Sequence, residues 1–314
     1  MPSNITHYLF AEEVRPLLGE SWKNTLEKNP CVYSLGAQGP DFLSYHRFLP
    51  WQGKSPLHEV DERIHRGANS AFFEGMLACG SEEGERALLG AYLAGFLCHY
   101  ALDMTAHPFI FSMQSIILRG EKLPPEYATA VHRRVETALD LITLRRSRGE
   151  LPGKLKMAAT IALDAGEREV LAQAVAHGVA CLTGERYPQA LFDEAMRDMK
   201  RAFALFGDPT GLIRHAARFI EKRRGMPPEL SAMFPTDVES DEFDYANALA
   251  EQWEDAFDGG SLHSETFFEL YDAAKQRAAQ MIDGLGAVLA GEEKFSNLTG
   301  DVSLSTGRPP RDSE

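Results

Sequence analysis

Three side chains that bind metals or transfer protons recur every four residues in the apolar segment FLCHYALDMTAHPF. On a helix, residues i and i+4 project from one face, so His99 and Asp103 lie side by side, and His107 shares that face if the last turn holds. Burying such groups among apolar residues is costly unless they find a partner, and a cation is a natural one. The spacing therefore indicates a metal site, with a hydrogen-bonded structural histidine as the alternative for each residue.

The same spacing recurs in AVHRRVETALD, where His132 precedes Glu136 by four residues. Two helices that each offer an imidazole and a carboxylate can build a dinuclear metal site inside a helical bundle. Imidazole and carboxylate are ligands that zinc accepts where thiolate is absent. The four cysteines lie far apart without a CxxC pair, so the sequence suggests neither a thiolate zinc site nor a disulfide framework. The predicted metal is zinc.

Helical periodicity dominates the chain, and the predicted fold class is an all-α multi-helix bundle. The helix near 84–106 is apolar on nearly all sides, as expected of a helix buried in the middle of a bundle. Pro108 predicts that this helix ends near Ala106 or His107. Further helices are predicted near residues 4–18, 61–78, 125–147, 153–164, 167–182, 189–206, 209–223, 243–257 and 264–290.

A length of 314 residues allows one large domain or two ordinary ones. We predict a metal-binding helical core over residues 1–150 and a helical C-terminal part over residues 151–290 that packs on it as one unit. Residues 291–314, which end in STGRPPRDSE, lack a helix signal and are predicted to be a disordered tail.

The charge balance excludes a globally basic nucleic-acid binder, because 46 acidic and 32 basic residues give a net charge of −14. No stable nucleic-acid complex is therefore expected. The opening MPSNITHYLFAEEVRPLL lacks the basic and apolar regions of a secretory signal. The longest apolar stretch, 88–102, is interrupted by Gly90, Gly95 and His99 and is too short to cross a bilayer. A cytoplasmic protein without a transmembrane segment is expected.

Three features together resemble the bacterial zinc-dependent phospholipase C family. They are the opening MPSNITHYLFA, the turn LGAQGPDF, and the His-rich segments LCHYALDMTAHP and HRRVE. The resemblance covers about residues 1–140. The C-terminal segment, with Trp253 followed by ETFFELYDAAKQRA, resembles the tail of a signal-less, intracellular branch of the family. The resemblance implies an all-α fold with a zinc cluster that hydrolyses phosphodiester head groups of phospholipids, a fold that related single-strand nucleases share.

The resemblance also implies roles for individual residues. It assigns the metal ligands in two sets: His65, His99 and Asp103 for one zinc ion, and His107, His132 and Glu136 for a second. His7 resembles the side-chain ligand of a third zinc ion that Asp103 bridges. This third ion is left open, because secreted members bind it with an N-terminal Trp that Met1-Pro2 does not supply.

Asp41, in the turn GPD, resembles the family's carboxylate that activates or positions the attacking water. From the residues alone, Asp41 can equally be a turn former or a helix cap.

The predicted function is a zinc-dependent phosphodiester hydrolase that resembles phospholipase C and acts through metal-activated water on a phospholipid-like head group. Two metal ions about 3.5–4 Å apart lower the pKa of bound water and neutralise an anionic phosphodiester, which is otherwise slow to hydrolyse. Two alternatives stay open. One is a nuclease or nucleotide phosphodiesterase on the same metal frame. The other is a non-catalytic zinc-binding protein whose acidic C-terminal half is an interaction surface.

Overall fold

One long helix, α6 (Glu83–Gly120), runs through the centre of the protein and is lined by most of the other helices. A capping box formed by Glu82 and Glu85 begins this helix, and its residues 89–104 are buried on every side. The structure is a computed structural model and describes residues 4–49, 52–80, 82–150, 152–208, 210–234 and 243–310. Within α6, nearly continuous burial explains why the sequence is apolar around its whole circumference.

The predicted all-α fold class is confirmed, because the described residues form thirteen α-helices and a single short hairpin. The helices are α1 (Asn4–Val14), α2 (Glu20–Lys28), α3 (Pro30–Gly36), α4 (Leu57–Arg66), α5 (Ser70–Leu77), α6, α7 (Ala128–Arg148), α8 (Met157–Thr160), α9 (Ala165–Thr183), α10 (Gln189–Phe206), α11 (Leu212–Arg224), α12 (Phe267–Leu289) and α13 (Phe295–Thr299). The strands are β1 (Trp253–Asp255) and β2 (Ser261–His263), which pair antiparallel. Helices α1, α3, α7 and α12 pack against α6, and α9 packs against α5 and α10.

Two glycines bring the backbones of α3 and α6 into contact. A Cβ atom on Gly36 would lie 2.1 Å from the carbonyl oxygen of Tyr92, and a Cβ atom on Gly95 would meet the backbone of α3 as closely. Side chains do not fit at such distances, so glycine is required at both positions. The crossing holds the 3₁₀ turn that follows α3, Gly39–Leu43, against the face of α6 that carries His99.

Asp140 of α7 fixes the start of α1. Its carboxylate accepts hydrogen bonds from the backbone N–H groups of Ile5 at 3.2 Å and Thr6 at 2.7 Å. The first N–H groups of a helix have no partner within the helix, so this carboxylate satisfies two of them. Burial raises the pKa of Asp140 to about 7. The contact orients the first turn of α1 and with it His7.

The prediction that α6 ends before Pro108 is wrong, because the helix continues to Gly120. Pro108 has no N–H, so the carbonyl of Met104 lacks its usual bond from four residues on. Gly307 lies against that carbonyl, and a Cβ atom there would come within 2.3 Å of the Met104 oxygen. Residues 106–110 are all buried, and this packing outweighs the local cost of the proline.

Residues 243–257 form turns and a strand, where the periodicity predicts a helix. The backbone is left-handed at Asn247 and Ala250, each with φ 51°, which interrupts any helix. Trp253 of β1 is buried and packs edge-on against Phe109 of α6, with ring centroids 5.5 Å apart. Trp253 is therefore buried by a hairpin that packs on α6 and not by a helix.

Residues 291–310 are ordered, although residues 291–314 are predicted to be a disordered tail. They include α13, and the side chains of Phe295 and Leu304 are completely buried. Tertiary contacts thus order a segment with little helix propensity of its own. Residues 311–314 lie outside the described residues. The division into a core over 1–150 and a C-terminal part over 151–290 stays a prediction.

One helix in the described part of the chain, α6, is long and apolar enough to cross a membrane. In its most apolar window, 83% of the residues are buried inside the protein. This burial is typical of the central helix of a helical bundle.

Candidate metal centre

Five imidazoles and three carboxylates from five elements meet beside the middle of α6. They are His7 on α1, Asp41 on the turn 39–43, His65 on α4, His99, Asp103 and His107 on α6, and His132 and Glu136 on α7. Their side chains are between 0% exposed for His99 and 16% exposed for His132. The structure therefore brings together all eight residues that the sequence nominates, while the role of each stays a prediction.

Asp103 lies at the centre of this cluster. Its Oδ1 is 3.1 Å from His7 Nε2, and its Oδ2 is 3.1 Å from His99 Nε2. The same Oδ2 is 3.6 Å from His107 Nδ1 and 3.9 Å from His65 Nε2. Because α6 continues through its proline, all three α6 side chains stay on one face, and this carboxylate is shared among four imidazoles.

Glu136 forms the second centre of the cluster. Its Oε1 lies 3.3 Å from His132 Nε2 and 3.9 Å from His107 Nε2. The donor atoms of these three residues all lie within 4.8 Å of one another, which is close enough to hold one metal ion. They are the three residues that the family resemblance assigns to the second zinc ion.

Two further groups of donor atoms lie equally close together, and they share one histidine. One group contains His7, His99 and Asp103, and the other contains Asp41, His65 and His99. The carboxylate of Asp41 is 3.2 Å from His65 Nε2. Asp41, predicted to act on water, is therefore also within reach of a metal ion bound by His65.

Two imidazoles of the second centre have their Nδ1 atoms held by partners outside the cluster. His107 Nδ1 donates to the backbone carbonyl of Leu304 at 3.0 Å, and His132 Nδ1 donates to Gln114 Oε1 at 2.9 Å. An acceptor at Nδ1 fixes the proton there, which leaves the Nε2 lone pair free for a metal ion. In this arrangement both Nε2 atoms point towards Glu136.

Sequence reasoning missed the residues that orient the ligands. Asp61 accepts from His65 Nδ1 through its carbonyl at 3.0 Å, and its carboxylate Oδ1 lies 3.1 Å from the same atom. The i, i+4 spacing of Asp61 and His65 was a usable signal, with the carboxylate preceding the imidazole. Gln114 and the carbonyl of Leu304 carry no such signal in the sequence.

Gly39 allows the turn that carries Asp41 to lie directly on His99. Its φ is 55°, and a Cβ atom would come within 2.2 Å of His99 Cδ2. Only glycine combines this left-handed backbone with such a close approach. The motif LGAQGPDF thus has a structural reason for its second glycine.

The electrostatics of the cluster favour a bound cation. Burial alone would raise the pKa of Asp103, but the imidazoles of His107, His99 and His7 hold it well below its ordinary value. Burial alone would lower the pKa of His7, but the Asp103 carboxylate outweighs burial, and the pKa lies above its ordinary value. For His99, burial outweighs the attraction of Asp103, and the pKa lies below its ordinary value. The rings of His7 and His99 are stacked 4.2 Å apart, so two protonated imidazoles would repel each other there.

Buried polar atoms without a hydrogen bond provide a test of whether a metal fits. Both ring nitrogens of His99, Nδ1 of His7 and Oδ1 of Asp41 are buried and make no hydrogen bond among the described residues. Native proteins rarely leave buried polar atoms unpaired, and ion binding is one explanation when they do. Imidazole and carboxylate donors suit zinc, so the residues present fit this metal.

The cluster is distinct from the other concave or acidic features of the protein. A cavity of about 370 Å³ lies between α3, α8, α9 and α10, and no residue of the cluster lines it. Asp255, Asp258 and His263 on the hairpin also lie close together, but Arg308 pairs with both carboxylates, at 3.4 and 2.8 Å. Neither feature contributes to the cluster.

Comparison with known proteins agrees with this site. No curated protein and no solved structure matches the chain. The family model described as zinc dependent phospholipase C matches residues 6–177, which is more than half of the chain. The matched stretch contains all eight residues of the cluster. The chain belongs to the zinc-dependent phospholipase C family.

Proposed function

We propose that this protein is a zinc-dependent hydrolase of phosphodiesters and that its substrate is a phospholipid-like head group. One observation carries the proposal: five imidazoles and three carboxylates converge on one face of α6 inside a domain of this family. The number and type of these donors suit two zinc ions, and His7 with Asp103 extends the set towards a third.

The residues divide into those that would hold metal and one that would act on water. His107, His132 and Glu136 form one ligand set, and His65, His99 and Asp103 form the other, which His7 extends towards a third ion. When bound, zinc ions in such a pair neutralise the phosphoryl oxygens and lower the pKa of a bound water molecule.

Asp41 is the residue that we assign to the water. Burial alone would raise its pKa, but His65 and His99 lower it, so the carboxylate is ionised at neutral pH and can accept a proton. Its place on the turn 39–43, held by Gly39 against His99, aims it at the cluster. The most exposed side chains of the cluster are those of His65 and His132, at 13% and 16%, so we expect a phosphodiester to reach the cluster beside one of these two residues.

The test combines elemental analysis of the purified protein with a substrate screen. The screen contains bis-p-nitrophenyl phosphate, phosphatidylcholine, single-stranded DNA and a phosphomonoester, each with and without a chelator. We expect at least two zinc ions per chain and chelator-sensitive cleavage of the phosphodiesters. His99→Ala, which removes a donor from two of the three groups, is expected to lose zinc and activity together.

The same screen separates the alternatives. Preferential cleavage of DNA would favour a nuclease on the same metal frame. Full zinc occupancy without turnover of any phosphoester would favour a zinc-binding interaction protein and would contradict the proposal.

A further inference from the structure

A short segment far along the chain crosses the metal centre. Residues 301–308, which we call the C-terminal strap, lie outside the stretch matched by the family model. The strap follows α13 and contacts α4, α5, α6 and the β1–β2 hairpin through hydrogen bonds and ion pairs. Two predicted metal ligands are among the residues that the strap contacts: His65 through its backbone carbonyl and His107 through its ring.

The first part of the strap is attached to the end of α4, where His65 lies. The Ser303 hydroxyl donates to the carbonyl of His65 at 2.9 Å, and the backbone N–H of Ser305 donates to the same carbonyl at 3.1 Å. The carboxylate of Asp301 accepts from the backbone N–H groups of Asn69 and Ser70 at 3.1 and 2.9 Å. The strap therefore holds the α4–α5 junction and the backbone of one predicted ligand.

The second part of the strap lies on α6, where the carbonyl of Leu304 accepts from His107 Nδ1 at 3.0 Å. The Leu304 side chain is completely buried, which anchors that carbonyl. Three residues later, Gly307 fits against the Met104 carbonyl that Pro108 leaves without its helical bond. The strap thus contacts α6 at the carbonyl whose helical hydrogen bond is lost at Pro108.

We propose that the C-terminal strap is a positioning element of the metal centre. The carbonyl of Leu304 holds the proton on Nδ1 of His107 and turns Nε2 towards Glu136, so the strap raises the affinity of the His107, His132 and Glu136 set for zinc. The inference rests on the proposed zinc binding. Partners of this kind typically change metal affinity by roughly 10- to 100-fold.

Two glycines of equal backbone strain provide the test. Gly307 and Gly300 both have φ 63°, so an alanine is equally strained at either position. A Cβ atom at Gly307 would lie 2.3 Å from the Met104 oxygen, whereas at Gly300 the nearest atom is 3.9 Å away. Gly307→Ala therefore pushes the strap off α6, and Gly300→Ala is the matched control that leaves it in place.

The affinity of each full-length variant for zinc is measured by competition with a chromophoric chelator, and cobalt(II) absorption reports the ligand geometry. We expect Gly307→Ala to bind one zinc ion roughly 10-fold or more weakly than the parent and to change the cobalt spectrum. Gly300→Ala is expected to keep both the affinity and the spectrum of the parent. The melting temperature of the metal-free proteins measures any general loss of stability.

Equal zinc affinity and an unchanged cobalt spectrum in Gly307→Ala would overturn the inference, as would equal loss in both variants. If Gly307→Ala does not fold, Leu304→Ala removes the buried side chain that anchors the carbonyl bonded to His107, and a zinc affinity unchanged from the parent would overturn the inference instead. A parent protein that binds no zinc would refute the proposed function itself, which is a separate result from zinc binding that ignores the strap.

Discussion

Each imidazole of the cluster has one nitrogen directed at Asp103 or Glu136, and for three of them the structure gives the other nitrogen a partner. Asp61 is the carboxylate among these partners, and the Ser44 hydroxyl in turn donates to it.

We expect Asp61→Asn to lower zinc affinity about 10- to 100-fold, because the amide holds His65 less firmly than a charged carboxylate does. Chelator competition measures this affinity. The neighbouring exposed residue provides the control, and Glu62→Gln is expected to bind zinc like the parent.

A substitution of Asp41 tests whether its carboxylate accepts a proton from water or binds a metal ion. If it accepts a proton from the attacking water, Asp41→Asn keeps the fold and the zinc content but lowers phosphodiester turnover by roughly 10²-fold or more. Kinetic constants and zinc content of the same preparations test this. His58, whose ring contacts the carbonyl of His46 outside the cluster, provides the control variant His58→Gln. Full turnover in Asp41→Asn would remove Asp41 from the mechanism, and loss of zinc would make it a ligand.

The residues of the cluster could be predicted from the sequence only where two ligands lie four residues apart on one helix. His99 with Asp103 and His132 with Glu136 are visible as i, i+4 pairs, because one helix face carries both members. His7 and Asp41 became candidates only through the family resemblance, because nothing local links them to the other ligands. The carbonyl of Leu304 was not predictable, since every residue has one and only the tertiary fold selects it.

At the scale of the elements, the crossing of α3 and α6 sets the position of Asp41. We expect Gly36→Ala to destabilise the protein by about 1–3 kcal/mol or more, because a Cβ atom would lie 2.1 Å from the Tyr92 oxygen and must push the helices apart. Denaturant unfolding measures this change in free energy. The control is Gly286→Ala in α12, where no atom lies within 4 Å and alanine is expected to stabilise by about 0.5–1 kcal/mol. A Gly36→Ala variant as stable as the parent would contradict the packing argument.

Sequence reasoning placed an element correctly where the apolar residues of the predicted helix face are the residues that the structure buries. The helix predicted over 189–206 coincides with α10, whose buried residues recur at helical spacing. The failures on α6, at 243–257 and in the predicted tail have one physical cause, which is that tertiary contacts override local signals. The helix α6 continues through Pro108 because the residues around the proline are buried. Trp253 lies on a strand that packs against α6, although the periodicity of its segment predicts a helix.

At the scale of the whole molecule, zinc is expected to support folding as well as catalysis. A ligand that binds only the folded state adds about 2.7 kcal/mol of stability when its free concentration is 100 times its Kd. The cluster joins α1, α4, α6 and α7, so removing the metal weakens contacts across the bundle. We expect chelation to lower the melting temperature and added zinc to restore it.

The control for this experiment is His99→Ala, whose melting temperature is expected to respond less to the chelator than that of the parent, because two of its three donor groups are already incomplete. Calorimetry with and without chelator compares the two proteins, and elemental analysis verifies removal of the metal. A parent melting temperature that stays the same after verified removal of the metal would contradict this prediction and would place the site at the periphery of the folding unit.

The long separation between His107 and the strap carbonyl has a consequence for how the protein is made. The two groups are 197 residues apart in the chain. A ribosome that adds about 5–20 residues per second therefore exposes His107 roughly 10–40 s before it exposes Leu304. Once Glu136 has also been translated, the nascent chain displays all eight side chains of the cluster, but it still lacks the carbonyl that orients one of them. We therefore expect zinc bound during synthesis to be held by an incomplete site, which reaches its full affinity only after the strap has been translated.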